Sequence, residues 1–134
     1  MTEQKQSKAL HISLWVAQGL LAAAFGMAGF MKTTAPIEQL AEKGMSFVTS
    51  YDVSTVRLIG ISELLAAIGL ILPAALRIIP VLTPAAATGL SVVMLLATQY
   101  HVSHNESSAP SIVLFLLTAF VAWGRFVKVP IRPK

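Results

Sequence analysis

The segment Gly60–Pro73, GISELLAAIGLILP, decides how the whole chain is read. Its composition suits a helix in lipid or deep in a protein, apart from Glu63, a carboxylic acid among leucines, isoleucines and alanines. Extended to its natural limits, Ser54 to Ala74, the run has about the 20 residues a helix needs to cross the hydrocarbon core of a bilayer. Three further runs of similar character follow the same rule: Leu10–Met31, Ile79–Val102 and Ala109–Val127. The expected fold is all-α, a four-transmembrane-helix bundle formed by a single domain over residues 1–134.

Composition agrees. Of 134 residues, 12% are charged, against about 25% in a soluble domain, and the mean hydropathy is +0.73. The chain has no Cys, which excludes disulfides, thiolate metal sites and cysteine redox chemistry; any redox role needs a bound cofactor or a partner. The net charge of +4 is not a nucleic-acid signature, because the basic residues flank the apolar runs instead of forming a stripe. The first run follows Lys5 and Lys8, as a signal peptide would, but its apolar length and the lack of a small-x-small cleavage pattern before Lys32 favour a retained helix.

Boundary residues divide the chain. Thr83–Pro84 forms an N-cap and N1 pair, Ser108 with Pro110 opens the fourth helix, and Pro73 and Pro80 bracket a short turn at Arg77. Between the first two spans, Ile37, Leu40 and Ala41 recur at helical spacing opposite Glu38, Glu42 and Lys43, predicting a short interfacial amphipathic helix over Pro36–Lys43 that ends at Gly44. With both termini inside, Lys5, Lys8, Arg77, Arg125, Lys128, Arg132 and Lys134 face the cytoplasm and Lys32, Lys43 and Arg57 face out, which the positive-inside rule favours. Trp15, Tyr51, Tyr100 and Trp123 then fall toward the interfaces.

In lipid, helices approach through small residues. Gly19, Ala22, Ala23, Gly26 and Gly29 in the first span, Gly60, Ala66, Ala67 and Gly69 in the second, and Ala85, Ala86 and Gly89 in the third supply candidate stripes. Glu63, three residues after Gly60 and four before Ala67, shares the small-residue face and points into the bundle. An acid at this depth costs about 2.5–3.5 kcal/mol on insertion scales, so a partner is expected. Lys32, Arg57 and His101 are the candidates, with Gln18, Gln99 and Tyr100 as uncharged ones. Lys32, Arg57, Gln99, Tyr100 and His101 outline an outward-opening polar pocket with Glu63 as its floor. Against this stands a plainer reading in which Lys32 and Arg57 snorkel to the interface and Glu63 pins one helix to another. His101 and His104 lack a third helical ligand, so no metal site is expected. Asn105–Ser107 has the form of a glycosylation sequon, meaningful only in a eukaryotic host.

FGMAGFMKTTAPIEQLAEKG from Phe25, VRLIGISELLAAIGLILPAALRIIPVLTP from Val56 and the His101 region resemble the DoxX-like family of small four-helix membrane proteins. The resemblance runs from Leu10 to Val127 and rests on Gly29, Lys32, Arg57, Gly60, Glu63, Gly69, Pro73 and His101. It implies an integral protein of the bacterial cytoplasmic membrane, accessory to a membrane redox or quinone-related system. The family is named for a small membrane subunit associated with a thiosulfate:quinone oxidoreductase. Other members are linked to quinone or catechol stress, and the wider group includes a receptor-assembly chaperone. The expected ligand is a quinone or lipid held at Glu63, with Lys32 or Arg57 setting the acid's charge and His101 relaying a proton. The expected partners are the bilayer, a redox subunit or other membrane protein, and a second copy. Lacking cysteine and a haem ligand pair, the chain is not expected to be an enzyme on its own. A membrane scaffold or assembly protein is the competing expectation, and a small proton-coupled transporter a weaker third.

Overall fold

The structure, a computed structural model, describes residues 2–42 and 51–133, the first six of them as backbone only, and these residues form five α-helices and one π-helical turn. They are α1 (Thr2–Thr34), α2 (Ile37–Glu42), α3 (Val53–Leu76), α4 (Leu82–Ser103), α5 (Ala109–Trp123) and the π-turn Gly124–Lys128. There is no strand among the described residues. Four helical segments, Lys8–Thr34, Val53–Leu76, Leu82–Ser103 and Ala109–Lys128, are long and apolar enough to cross a bilayer. Their outward faces carry Leu20, Met27, Leu58, Leu65, Leu95 and Leu116, all more than half exposed. A soluble monomer does not sustain apolar exposure on that scale. The protein is an integral membrane protein.

α1 is packed against α3, α3 against α4, α4 against α5, and α5 back against α1, so neighbours in sequence are neighbours in a closed, antiparallel ring. The ends of α1 and α5 nearest the chain termini therefore share one end of the bundle, here the terminal end; α2 and the α4–α5 connection share the other. Leu14, Leu21, Phe25, Ala67, Leu70, Leu90 and Val121 fill the core. Leu40 of α2 is buried with Val56 at the start of α3. Lys43 and Gly44, the expected end of α2, lie outside the described residues.

Several boundaries differ from expectation. α1 starts eight residues before Leu10 because Glu, Gln, Lys and Ala are good helix formers and nothing in Thr2–Ala9 breaks the run. α3 passes through Pro73 to Leu76. It ends where Arg77 (φ 58°) and Ile79 (φ 45°) enter the left-handed region, and α4 therefore begins at Leu82, not Ile79. Thr83 does not cap α4. The N-cap position is Val81, and the Thr83 hydroxyl instead donates to the carbonyl of Gly69 at 2.8 Å. The reason lies in Pro73, which has no N–H to give the carbonyl four residues earlier. That carbonyl belongs to Gly69, and Thr83 satisfies it from the next helix. Ser108 does occupy the N-cap position of α5, but its side chain makes no capping hydrogen bond.

The small-residue stripes are also shorter than the sequence suggested. At Gly29 an added Cβ would meet Gly60 O and Leu64 N, both at 2.7 Å, and at Gly60 one would meet Lys32 Cβ at 2.7 Å. Gly69 faces Ala86 in the same way at 3.1 Å. By contrast, nothing lies within 4 Å of such a Cβ at Gly19 or Gly89. The close contact is α1 on α3 at one level, where two glycines meet.

Candidate functional site

That glycine contact builds the site. Lys32 is three residues after Gly29 and Glu63 three after Gly60, so each side chain leaves the face that carries its glycine. Side chains tilt toward the N-terminus of their own helix, and because α1 and α3 are antiparallel, the two reach toward each other. Lys32 Nζ donates to Glu63 Oε1 at 2.6 Å. The Lys32 side chain is 11% exposed and that of Glu63 2%, so the pair is desolvated on both sides. The acid thus faces protein, with a cation against it.

Arg57 has a different task. Its Nη1 donates to the carbonyls of Lys32 at 2.9 Å and Ala35 at 2.6 Å, at the C-terminal end of α1. Carbonyls there have no intrahelical donor, and in a membrane they need one from elsewhere. His101 Nδ1 lies 2.8 Å from Glu106 Oε1. Tyr100 stacks on His104 with ring centroids 3.9 Å apart and lies 6.1 Å from Tyr51, while Gln99 is exposed. These residues form an aromatic and ionic cluster around the α4–α5 connection. No group of three or more His, Asp or Glu that could hold a metal occurs among the described residues.

The open space beside Glu63 is lateral instead of the outward pocket expected from sequence. A groove of about 640 Å³ runs between α3 and α4, bordered by Ser62, Glu63, Gly69 and Pro73 on one side and Ala86 and Val93 on the other. Lys32, Arg57 and His101 do not border it. His101 is eight residues beyond Val93, roughly 12 Å farther along α4. From Glu63 to Pro73 the groove is about 15 Å long. Its polar side chains, Ser62 and Glu63, sit together at one end, and its walls are otherwise apolar.

A second polar system, at the terminal end, escaped the sequence reading. Arg125, expected among the interfacial cations, is 2% exposed. The π-turn Gly124–Lys128 brings it inside, and Gly124 makes room, since a Cβ there would meet Leu14 Cδ2 at 2.5 Å. Arg125 Nε donates to Gln18 Oε1 at 2.7 Å, and Gln18 Nε2 donates to the carbonyl of Leu70 at 2.6 Å. Nη1 of Arg125 donates to Val129 O at 3.0 Å and lies 2.9 Å from His11 Nδ1. Gln18, expected as a partner for Glu63, instead bridges α3 to Arg125. The one available signal was Gln18 itself, an amide at mid-helix.

No match is found among curated proteins or among solved structures. The model of the DoxX-like family matches residues 16–123, which span Lys32, Glu63, both walls of the groove and His101. With this match over most of its length, the chain belongs to the DoxX-like family.

Proposed function

We propose that the protein holds a small amphipathic molecule, such as a quinone, in the groove between α3 and α4, as an accessory component of a membrane redox or quinone-related system. The observation that carries this reading is a buried carboxylate, Glu63, at the polar end of an otherwise apolar groove, with Lys32 of α1 paired to it from behind. A hydroxyl head placed against Glu63 would donate to its carboxylate, which Lys32 backs from α1, while an apolar tail lies along the groove. Glu63 would exchange a proton or hydrogen bond with the head, and electrons would come from a partner subunit, since the chain has no cysteine. An intramembrane ionisable group is a functional candidate by default, which adds to the argument.

A second reading rests on small residues of the same groove wall. Ala85 and Gly89, four residues apart on α4, are exposed, and nothing fills the space over Gly89. This small-xxx-small pattern suits the close approach of another transmembrane helix, as in a scaffold or assembly protein.

Lipid extraction of the purified protein followed by mass spectrometry separates the two. A co-purifying quinone or similar amphiphile, retained by the wild type and lost in a Glu63→Gln variant that still folds and inserts, is the expected result. A clean extract, or full retention by Glu63→Gln, defeats the ligand role of the acid; a clean extract together with a crosslinked partner at Gly89 favours the scaffold.

A further inference from the structure

Among the residues whose side chains are described, no carboxylate pairs with the buried cation Arg125. Gln18, His11 and the Val129 carbonyl are neutral groups, the guanidinium stands 5.6 Å from the Trp15 ring, and Nη2 has no hydrogen-bond partner. Unlike the Lys32–Glu63 pair, this centre leaves its charge uncompensated within a membrane-spanning segment. Around it, the terminal end carries Lys8, Arg77, Lys128 and Arg132, and no Asp or Glu among the residues whose side chains are described. Glu38, Glu42, Asp52 and Glu106 all lie at the opposite end.

The residues that wrap Arg125 also form a wall. His11, Trp15 and Val129 border an open-mouthed cavity of about 520 Å³ that Arg77 and Arg132 also line. Arg77 is fixed there, its Nε donating to the carbonyl of Arg132 at 2.9 Å. A guanidinium cannot accept a hydrogen bond, so Arg125 donates to His11 Nδ1, and the other ring nitrogen of His11 then carries the proton and is a donor. The cavity is thus bordered by two guanidinium groups and an imidazole, and backed by a third, buried guanidinium. Planar guanidinium donors match the oxygens of a phosphate.

We propose that this cavity binds a phosphate-bearing anion, with Arg77 and Arg132 contacting its oxygens and the buried Arg125 supplying a fixed positive field behind His11. The same chemistry is offered by an anionic lipid headgroup from the adjoining leaflet and by free phosphate.

The test uses the full chain in a neutral detergent, with ionic strength held constant. Its thermal midpoint is followed while phosphatidylglycerol, phosphatidylcholine or inorganic phosphate is added. Phosphatidylglycerol is expected to raise the midpoint where phosphatidylcholine does not. The joint Arg77→Gln, Arg132→Gln variant should need about tenfold more of it or worse, the equivalent of losing at least one charge-assisted hydrogen bond. Both arginines are exposed, so this variant should fold even where Arg125→Gln does not. A shift with phosphatidylglycerol alone identifies a lipid headgroup; an equal shift with inorganic phosphate, lost in the same variant, identifies the soluble ion. Equal shifts from the two lipids without any from phosphate, no shift from any probe, or shifts unchanged in the joint variant overturn the proposal.

Discussion

Replacing Thr83 with valine should cost stability only because Pro73 is where it is. Pro73 removes the donor that the Gly69 carbonyl would otherwise meet, and Thr83 Oγ1 takes its place at 2.8 Å from the neighbouring helix. Valine keeps the shape of threonine but puts a methyl against that oxygen. The loss is one interhelical hydrogen bond, about 0.6–1.7 kcal/mol by the range found for such bonds in membranes. An exposed carbonyl in hydrocarbon adds to this, so a value near the upper limit is expected. Pro73→Ala restores an N–H in the place the helix needs it. In that background Gly69 O is satisfied within α3, and Thr83→Val should cost less than half as much. The coupling between the two sites can be read from reversible unfolding of all four chains in mixed detergent micelles, followed by circular dichroism. An equal cost for Thr83→Val in both backgrounds would refute the link between the proline and the threonine, even if each substitution alone destabilises the protein.

Gly60→Ala should cost about 1–3 kcal/mol, the usual range for overpacking, because the new Cβ would meet Lys32 Cβ at 2.7 Å and the backbone N of Thr33 at 2.8 Å. Gly19→Ala, with nothing within 4 Å, is the control and should stay within about 0.5 kcal/mol of wild type in the same unfolding assay. Lys32→Met leaves Glu63 buried alone and should destabilise by about 3–5 kcal/mol, whereas Lys32→Met with Glu63→Leu should recover most of that loss; a double variant no more stable than Lys32→Met would count against a paired charge. A reporter active only in the cytoplasm should give signal when fused at Lys134 and none when fused within Ser103–Ser108, and the reverse pattern would invert the proposed topology.

The four spans were legible because each is an apolar run of bilayer length, and the inward direction of Glu63 was legible from its i−3 and i+4 neighbours, Gly60 and Ala67. The partner was only half legible. Lys32 and Arg57 looked equivalent as cations near the outer ends of two helices, and what separates them is the antiparallel contact at Gly29 and Gly60, a property of two segments brought together. Arg57 spends its donors on carbonyls that a sequence does not display as unsatisfied. Arg125 was read as one more interfacial cation because counting residues along a regular helix cannot register a π-turn, whose extra residue per turn changes the face on which a side chain emerges. Pro73 was read as a terminator for a similar reason: the threonine that rescues its carbonyl lies fourteen positions away, on another helix.

In lipid, apolar packing does little to choose between one helix register and the next, because the tails of the solvent are as apolar as leucine. Polar contacts set the register instead, and each seam of this ring has at least one. α1 and α3 are held by Lys32–Glu63 and by Gln18 on the Leu70 carbonyl. α5 is tied to α1 through Arg125 and Gln18. α4 and α5 are joined by Ser91 to Thr118 and Thr98 to Ser111, each at 2.9 Å; the two pairs are separated by seven residues on both helices, as antiparallel neighbours require. Between α3 and α4, among the described residues, the side-chain hydrogen bond is that of Thr83 to Gly69, close to the turn that links them. A seam held by this one bond near the turn, with the small residues Ala85, Ala86 and Gly89 along α4, is the one free to stand open. The groove lies along it, from Pro73 and Leu82 beside that bond to Glu63 at its far end.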